Sequence, residues 1–128
     1  MADAAARLQE LSEQFTALQK ELQTAVESRQ KLEAQKTENL GVQKEFSNLK
    51  EDETIYKLIG PVLLKQDKVE AESTVTGRLE FIGKEISRLE NQIKSTQDKL
   101  EKKKADIIQA QAAAQAAAQA ATPAQVTA

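Results

Sequence analysis

The chain has 128 residues and a formal net charge of −2 at pH 7; 30% of its residues are charged, only 3% are aromatic, and it contains no Cys, His or Trp. The absence of Cys excludes disulfides and thiolate metal sites, and without His as well we expect neither an enzyme active site nor a metal centre. The nearly balanced charge favours neither nucleic acid nor an acidic membrane surface. Few bulky side chains are available for a globular core, whereas abundant Ala, Glu, Lys, Leu and Gln are typical of long helices and coiled coils.

The first residues show no targeting signal. The segment "MADAAARLQEL" lacks the basic stretch and following apolar stretch of a signal peptide. No apolar run approaches the roughly 18 residues that cross a bilayer. We therefore expect a cytoplasmic protein.

Residues 1–53 are predicted to form an N-terminal coiled-coil helix. Apolar side chains follow alternating steps of three and four, the spacing of a heptad seam: Leu8, Leu11, Phe15, Leu18, Leu22, Ala25 and Leu32. Arg29 and Lys36 interrupt this seam, with long stems that can lie along it while their charges reach water. Beyond Leu32 a register shifted by three residues fits the apolar pattern better, so we expect an irregularity near Gly41; the shifted positions are Val42, Phe46 and Leu49.

Residues 54–66 are predicted to form a β-hairpin, because β-branched and aromatic residues flank the breaker Gly60-Pro61 in "TIYKLIGPVLLKQD". Both faces of each strand carry apolar side chains, and an isolated two-stranded hairpin is marginal in water. Each helix offers only a narrow apolar seam to cover it. We therefore expect the hairpin to join a sheet supplied by other chains; the alternative is a hydrophobic loop folded back on the helix ends. The expected assembly residues are Ile55, Tyr56, Leu58, Ile59, Val62, Leu63 and Leu64.

Residues 67–122 are predicted to form a C-terminal coiled-coil helix, capped by Asp67 together with Glu70. Its seam keeps strict steps of three and four through Leu79, Ile82, Ile86, Leu89, Ile93, Thr96, Leu100, Lys103, Ile107, Ala110, Ala114, Ala117 and Ala121. Residues 123–128, which begin with Pro123, are expected to be a disordered tail. Because a hairpin reverses the chain, the two helices should run antiparallel.

Three short motifs carry no chemistry. The segment "GRLEFIGK" has five residues between its glycines, lacks the Ser or Thr of a phosphate-binding loop, and lies within the heptad seam. The cluster "EDE" at 51–53 is expected to be a solvated turn. The run "KKK" at 102–104 is offset by neighbouring acidic residues and does not predict nucleic-acid binding.

The succession of helix, hairpin and helix, with "IYKLIGPVLLKQD" at the bend, resembles the β-class subunits of prefoldin. The flanking segments "SRQKLEAQKTENLGVQKEF" and "GRLEFIGKEISRLENQI" are similar to the eukaryotic subunit six family, and "KLIGPVLLKQ" is the most specific piece. The resemblance covers residues 28–95 closely. It implies a mainly α fold, in which a long antiparallel two-helix coiled coil has a single β-hairpin at the bend and the hairpin joins a multi-subunit β-barrel platform.

The resemblance also implies a function. Prefoldin is a hexameric chaperone of two α-class and four β-class subunits, all different in the eukaryotic form. It captures unfolded proteins, notably actin and tubulin, and passes them to the cytosolic chaperonin without ATP, a metal or a cofactor. We expect no nucleic-acid or membrane partner.

Client binding is expected near the chain ends, where the helices can splay apart. The candidates are Leu8, Leu11, Phe15, Ile107 and Ile108. The alternative is that all but Ile108 form ordinary coiled-coil core. Ile108 follows Ile107 directly, so it cannot share the seam and should point outward.

A second interpretation is that the chain is a coiled-coil scaffold or tethering subunit without client binding. The hairpin argues against it, because a tether needs no β-strands in its bend and would use a short polar loop.

Overall fold

A computed structural model describes residues 2–121, which form two long helices with a β-hairpin between them. This confirms the predicted mainly α architecture. In chain order the elements are α1 (Ala2–Asn48), β1 (Ile55–Ile59), β2 (Val62–Gln66) and α2 (Lys68–Ala121). Residue 122 and the expected disordered tail at 123–128 lie outside the described residues.

The packing of the chain divides into two compact units. One comprises residues 27–90, with the end of α1, the hairpin and the beginning of α2. The other comprises the described residues up to 26 and from 91 onward. Within each unit, a stretch of α1 packs beside a stretch of α2.

The first helix ends earlier than the predicted boundary at residue 53. Its last turn tightens, because the Leu49 amide donates to the Phe46 carbonyl at 3.2 Å, three residues back. A separate turn follows, closed by the Glu53 amide and the Lys50 carbonyl at 3.0 Å. The acidic residues at 51–53 therefore lie in an exposed connection between α1 and β1.

Burial along α1 keeps a seven-residue repeat at one of the two predicted seam positions, whereas the other stops after Arg29, because Lys36 is exposed. Of the positions that the shifted register predicted, Phe46 and Leu49 are half-buried. Val42 is exposed, and the helix is continuous through Gly41. The Asn39 amide donates to the Gln35 carbonyl of its own helix at 2.8 Å, which lets a polar residue occupy a half-buried seam position. The positions of the repeat are Leu11, Leu18, Ala25, Leu32, Asn39 and Phe46.

The start of α2 is capped as predicted by Asp67. Its Oδ1 accepts a hydrogen bond from the Val69 amide at 3.4 Å, and its carbonyl accepts the first intrahelical bond from Ala71 at 3.0 Å. The side-chain bond satisfies the Val69 amide, which has no carbonyl partner within the helix. The two bonds place the helix start directly after the end of β2 at Gln66.

The seam of α2 begins two turns earlier than the sequence indicated. Ala71 and Val75 are buried and continue, at steps of four, into the predicted seam position Leu79. At the other end the prediction for Ala117 is wrong, because Ala117 is exposed and Ala118 is half-buried instead. Alanine methyl groups are too short to form deep knobs, so they do not hold the helix to a 3.5-residue period. The most buried members of the seam are Ala71, Val75, Ile82, Ile86, Leu89 and Thr96.

Candidate assembly interface

The hairpin turn consists of Gly60 and Pro61. Gly60 has a φ of 58°, a left-handed conformation that glycine adopts without a Cβ penalty. Proline restricts the next φ to about −65°. A positive φ at the first central residue and a negative one at the second define a type II′ turn, whose twist matches that of paired strands.

The strands pair antiparallel, with Ile59 opposite Val62 and Ile55 opposite Gln66. Residues directly opposite each other share one face of the ribbon. The Ile59 face consists of Ile55, Lys57, Ile59, Val62, Leu64 and Gln66. The Leu58 face consists of Tyr56, Leu58, Leu63 and Lys65. Apolar side chains therefore occur on both faces.

These apolar side chains are largely uncovered. Leu58 is 68% exposed, Leu63 62% and Tyr56 59%. On the Ile59 face, Val62 is 51% exposed and Leu64 is 49% exposed. Ile55 is less exposed than the other apolar side chains of this face. The hairpin is therefore not folded back onto the helix ends, which was the alternative interpretation of this segment.

The outer edges of the hairpin are open as well. The sheet in the described part of the chain contains β1 and β2 alone, so each strand has one edge without a strand neighbour. Backbone amides and carbonyls on such an edge can pair with a further strand. The hairpin thus offers apolar faces and two hydrogen-bonding edges to another polypeptide.

The five candidate client-binding residues differ in their accessibility. Leu11 is only 6% exposed, and three others, Leu8, Phe15 and Ile107, are half-buried in the seam. Ile108 is 57% exposed, as its place beside the seam predicts. Of this set, Ile108 alone presents most of its side chain to solvent.

Polar contacts join the helices within each unit. In the residue 27–90 unit, Arg29 Nη2 donates to Glu90 Oε1 at 3.0 Å. In the other unit, Lys103 Nζ donates to Gln14 Oε1 at 2.8 Å. Gln14 comes before Arg29 in α1, and its partner Lys103 comes after Glu90 in α2, which is the order that antiparallel helices require.

The described residues contain no group of three or more acidic side chains that could hold a metal ion. None of the described helices is long and apolar enough to cross a membrane. The motif at 77–84 lies inside α2 and is not a loop. Arg88 lies on the exposed surface of α2, outside the hairpin. Its hydrogen bonds to Glu85, together with the charge of that carboxylate, raise the pKa of the Arg88 guanidinium.

One exposed aromatic residue was missed by the sequence analysis. Phe81 is 63% exposed on α2 although it lies between two seam residues in sequence. The signal that identified Ile108 applies here too: an apolar residue directly before Ile82 cannot share the seam with it.

Comparison with known proteins finds a family of similar sequences. A family model described as "Prefoldin subunit" matches residues 9–114. Prefoldin subunit 6 of Saccharomyces cerevisiae is 45% identical over 101 residues, which cover 79% of this chain and 89% of that protein. Prefoldin subunit 6 of Homo sapiens is 41% identical over 105 residues, covering 82% of this chain and 81% of that protein.

Solved structures agree with these relatives. The crystal structure of the prefoldin beta subunit from Thermococcus strain KS-1 superposes with a TM-score of 0.74 at 28% identity, covering 81% of this chain and 91% of that one. The chain therefore belongs to the prefoldin subunit family, whose members are components of a chaperone complex and not enzymes.

Proposed function

We propose that this chain is a β-class subunit of a heterohexamer of two α-class and four β-class prefoldin subunits, and that its hairpin is the joint. The observation that carries the proposal is the exposure of apolar side chains on both faces of the hairpin. Prefoldin subunits assemble with other prefoldin subunits, so partners of matching chemistry exist. In the complex, this hairpin is one part of a β-barrel platform built from several chains.

The physical basis is strand addition. Pairing at the open edges supplies hydrogen bonds, and the alternating side chains select the partner. Each large apolar side chain that becomes fully buried contributes about 1.5–3 kcal/mol before the cost of ordering is subtracted. Several exposed side chains, among them Leu58 and Leu63, make this gain sufficient for a stable joint.

The assembled complex acts as an ATP-independent holdase in the cytoplasm. It captures unfolded proteins of the actin and tubulin class and delivers them to the cytosolic chaperonin. Capture is non-covalent: apolar groups on several subunits each bind a client weakly, and their combined action retains it. On this chain, the contributing group is Ile108, with Leu8, Leu11, Phe15 and Ile107 available where the helices separate.

The second candidate function is a scaffold or tethering subunit that binds no client itself. The burial of Leu11 and the partial burial of Leu8, Phe15 and Ile107 favour it, because side chains packed in a seam cannot also hold a client. Under this alternative the hairpin still assembles the complex, and the other subunits bind the client.

Co-expression with candidate α- and β-class partners, followed by native mass measurement, tests the assembly. The doubly substituted chain Leu58→Asp/Leu64→Asp should be missing from the hexamer while keeping its helix content by circular dichroism. Ile108→Asp is the matched control, because it introduces the same charge at an exposed aliphatic residue of α2 and should leave assembly intact. Intact hexamers that contain the doubly substituted chain would show that the hairpin is not the joint.

A further inference from the structure

Exposed apolar side chains are unevenly distributed between the two units. Among the described residues, ten of the twelve large hydrophobic side chains that are exposed lie in residues 27–90. Six of these ten belong to the hairpin, and the other four lie on the helices of the same unit: Leu40, Val42, Val69 and Phe81. The hairpin strands are therefore not the whole uncovered apolar surface of this unit.

Phe81 borders a groove between the two helices of this unit, which we call the Phe81 groove. It encloses about 470 Å³, and its lining residues are Gln35, Asn39, Gly77, Arg78, Phe81 and Ile82. Phe81 and Ile82 are the apolar side chains of this lining. Among these residues Arg78 alone is charged.

The groove is open because each helix places few side-chain atoms in it. On α2, a Cβ built on Gly77 meets no atom within 4 Å, so nothing in this chain requires a glycine at that position. On α1, the Asn39 side chain is bonded to the Gln35 carbonyl of its own helix and does not reach across to α2. A glycine in a helix interior costs about 1 kcal/mol relative to alanine. The helical glycines Gly41 and Gly83 also meet open space, so Gly77 is distinguished by its place in the lining of the groove.

We propose that the Phe81 groove receives an apolar side chain of a neighbouring prefoldin subunit and forms a second contact of the complex, on the helices of the unit that also carries the hairpin. This rests on the proposed function, in which the hairpin brings other subunits to the same unit. An aromatic residue and an arginine without Lys, Glu or Asp are the composition of an interface centre and not of a solvated helix face. Gly77 leaves the space that the incoming side chain fills.

The test uses a substitution that should stabilise the isolated chain and reduce its incorporation into the complex. In the isolated full-length chain, Gly77→Leu should raise the thermal midpoint, since leucine favours a helix and meets open space. In the complex, the same leucine fills the groove and should reduce incorporation. Phe81→Ser, at a residue outside the core, should reduce incorporation without lowering helix content. Gly41→Leu is the matched control, at an exposed helical glycine that also meets open space.

Incorporation is measured by competition: equal amounts of isotope-labelled wild-type and unlabelled variant chain compete for limiting partner subunits, and native mass spectrometry counts each in the complex. We expect Gly77→Leu and Phe81→Ser to be incorporated about tenfold less than wild type, as for loss of a central interface contact, and Gly41→Leu to compete equally. Equal incorporation of both groove variants, or an equal loss with Gly41→Leu, would overturn the proposal.

Other occupants give different outcomes. If both groove variants assemble normally but suppress client aggregation less, the groove binds client and the proposal is wrong. If they abolish self-association of the isolated chain and leave hetero-assembly unchanged, the occupant is a second copy. A Leu58→Asp chain in the same competition reports on the hairpin separately, so a failure of the hairpin joint is distinguishable from a failure of the groove.

Discussion

The guanidinium of Arg29, on the apolar seam of α1, donates a hydrogen bond of 3.0 Å from Nη2 to Oε1 of Glu90 on α2. Both side chains are about half exposed, so the ion pair is partly screened by solvent. The Nε of Arg29 is buried and has no hydrogen-bond partner among the described residues. The seam therefore accommodates a charge at this point at some cost in stability.

Replacing Arg29 by methionine should stabilise the isolated chain. The exposed ion pair contributes less than about 1 kcal/mol, and an apolar side chain of similar length gains more by lying in the seam without an unpaired donor. We expect the free energy of unfolding to rise by about 1 kcal/mol, measured by urea denaturation followed by circular dichroism. Lys36→Met is the control, because Lys36 is exposed on the same helix and its replacement should change little. A loss of stability with Arg29→Met would mean that the ion pair is worth more than its exposure indicates.

Truncating the seam should destabilise the chain strongly. Leu89 is buried, and Leu89→Ala removes packed methyl groups and leaves a cavity, at a cost of about 2–4 kcal/mol. Ile108→Ala removes similar apolar volume from an exposed position and should cost less than about 0.5 kcal/mol. Thermal unfolding of both variants provides the comparison. Similar losses at the two positions would contradict the assignment of Leu89 to the core and Ile108 to the surface.

Replacing the turn glycine by a residue with a Cβ should weaken the hairpin. Gly60 has a φ of 58°, which costs an ordinary residue about 1–2 kcal/mol. Gly60→Ala should therefore weaken the hairpin and lower incorporation into the complex about tenfold. Gly60→Asn should be milder, because asparagine tolerates the left-handed region better. Native mass spectrometry of competition mixtures measures both, and equal effects of Ala and Asn would point away from the backbone conformation as the cause.

The Asp67 cap at the start of α2 should stabilise the fold. Asp67→Ala removes the acceptor of the Val69 amide and should cost about 0.5–2 kcal/mol. Asp98→Ala, in the exposed middle of the same helix, removes an equal charge without removing a cap. Denaturant titration of both chains separates the capping effect from the charge effect, and equal losses would show that the charge alone is responsible.

Client binding by this chain is tested at Ile108, the exposed isoleucine of α2. In the assembled complex, Ile108→Ser should weaken suppression of client aggregation by a few-fold, since one of several weak contacts is lost. Ala105→Ser, on the same helix and also exposed, is the control for adding a hydroxyl group. Unchanged suppression with Ile108→Ser would favour the scaffold function for this chain.

Sequence reasoning succeeded where one local pattern was strong. The steps of three and four predicted α2 from Leu79 to Ala114, and the capping Asp67 marked its start. It failed at several positions with small or polar side chains, and it also missed the buried Val75. Ala71 was overlooked as core, Ala117 was assigned to the seam, and Asn39 was not recognised as a seam position that maintains the heptad of α1.

The amino-acid sequence by itself determined the two helices, the hairpin between them and the family, because heptad spacing, a Gly-Pro turn and the residues around it are local features of the chain. Only the tertiary structure decided which apolar side chains remain uncovered. Helical spacing places Phe81 off the seam, but the open space beside Gly77 and the side-chain bond of Asn39 depend on how α1 and α2 pack within their unit. The exposure of a side chain depends on its neighbours in space, and the spacing of residues along the chain does not specify those neighbours.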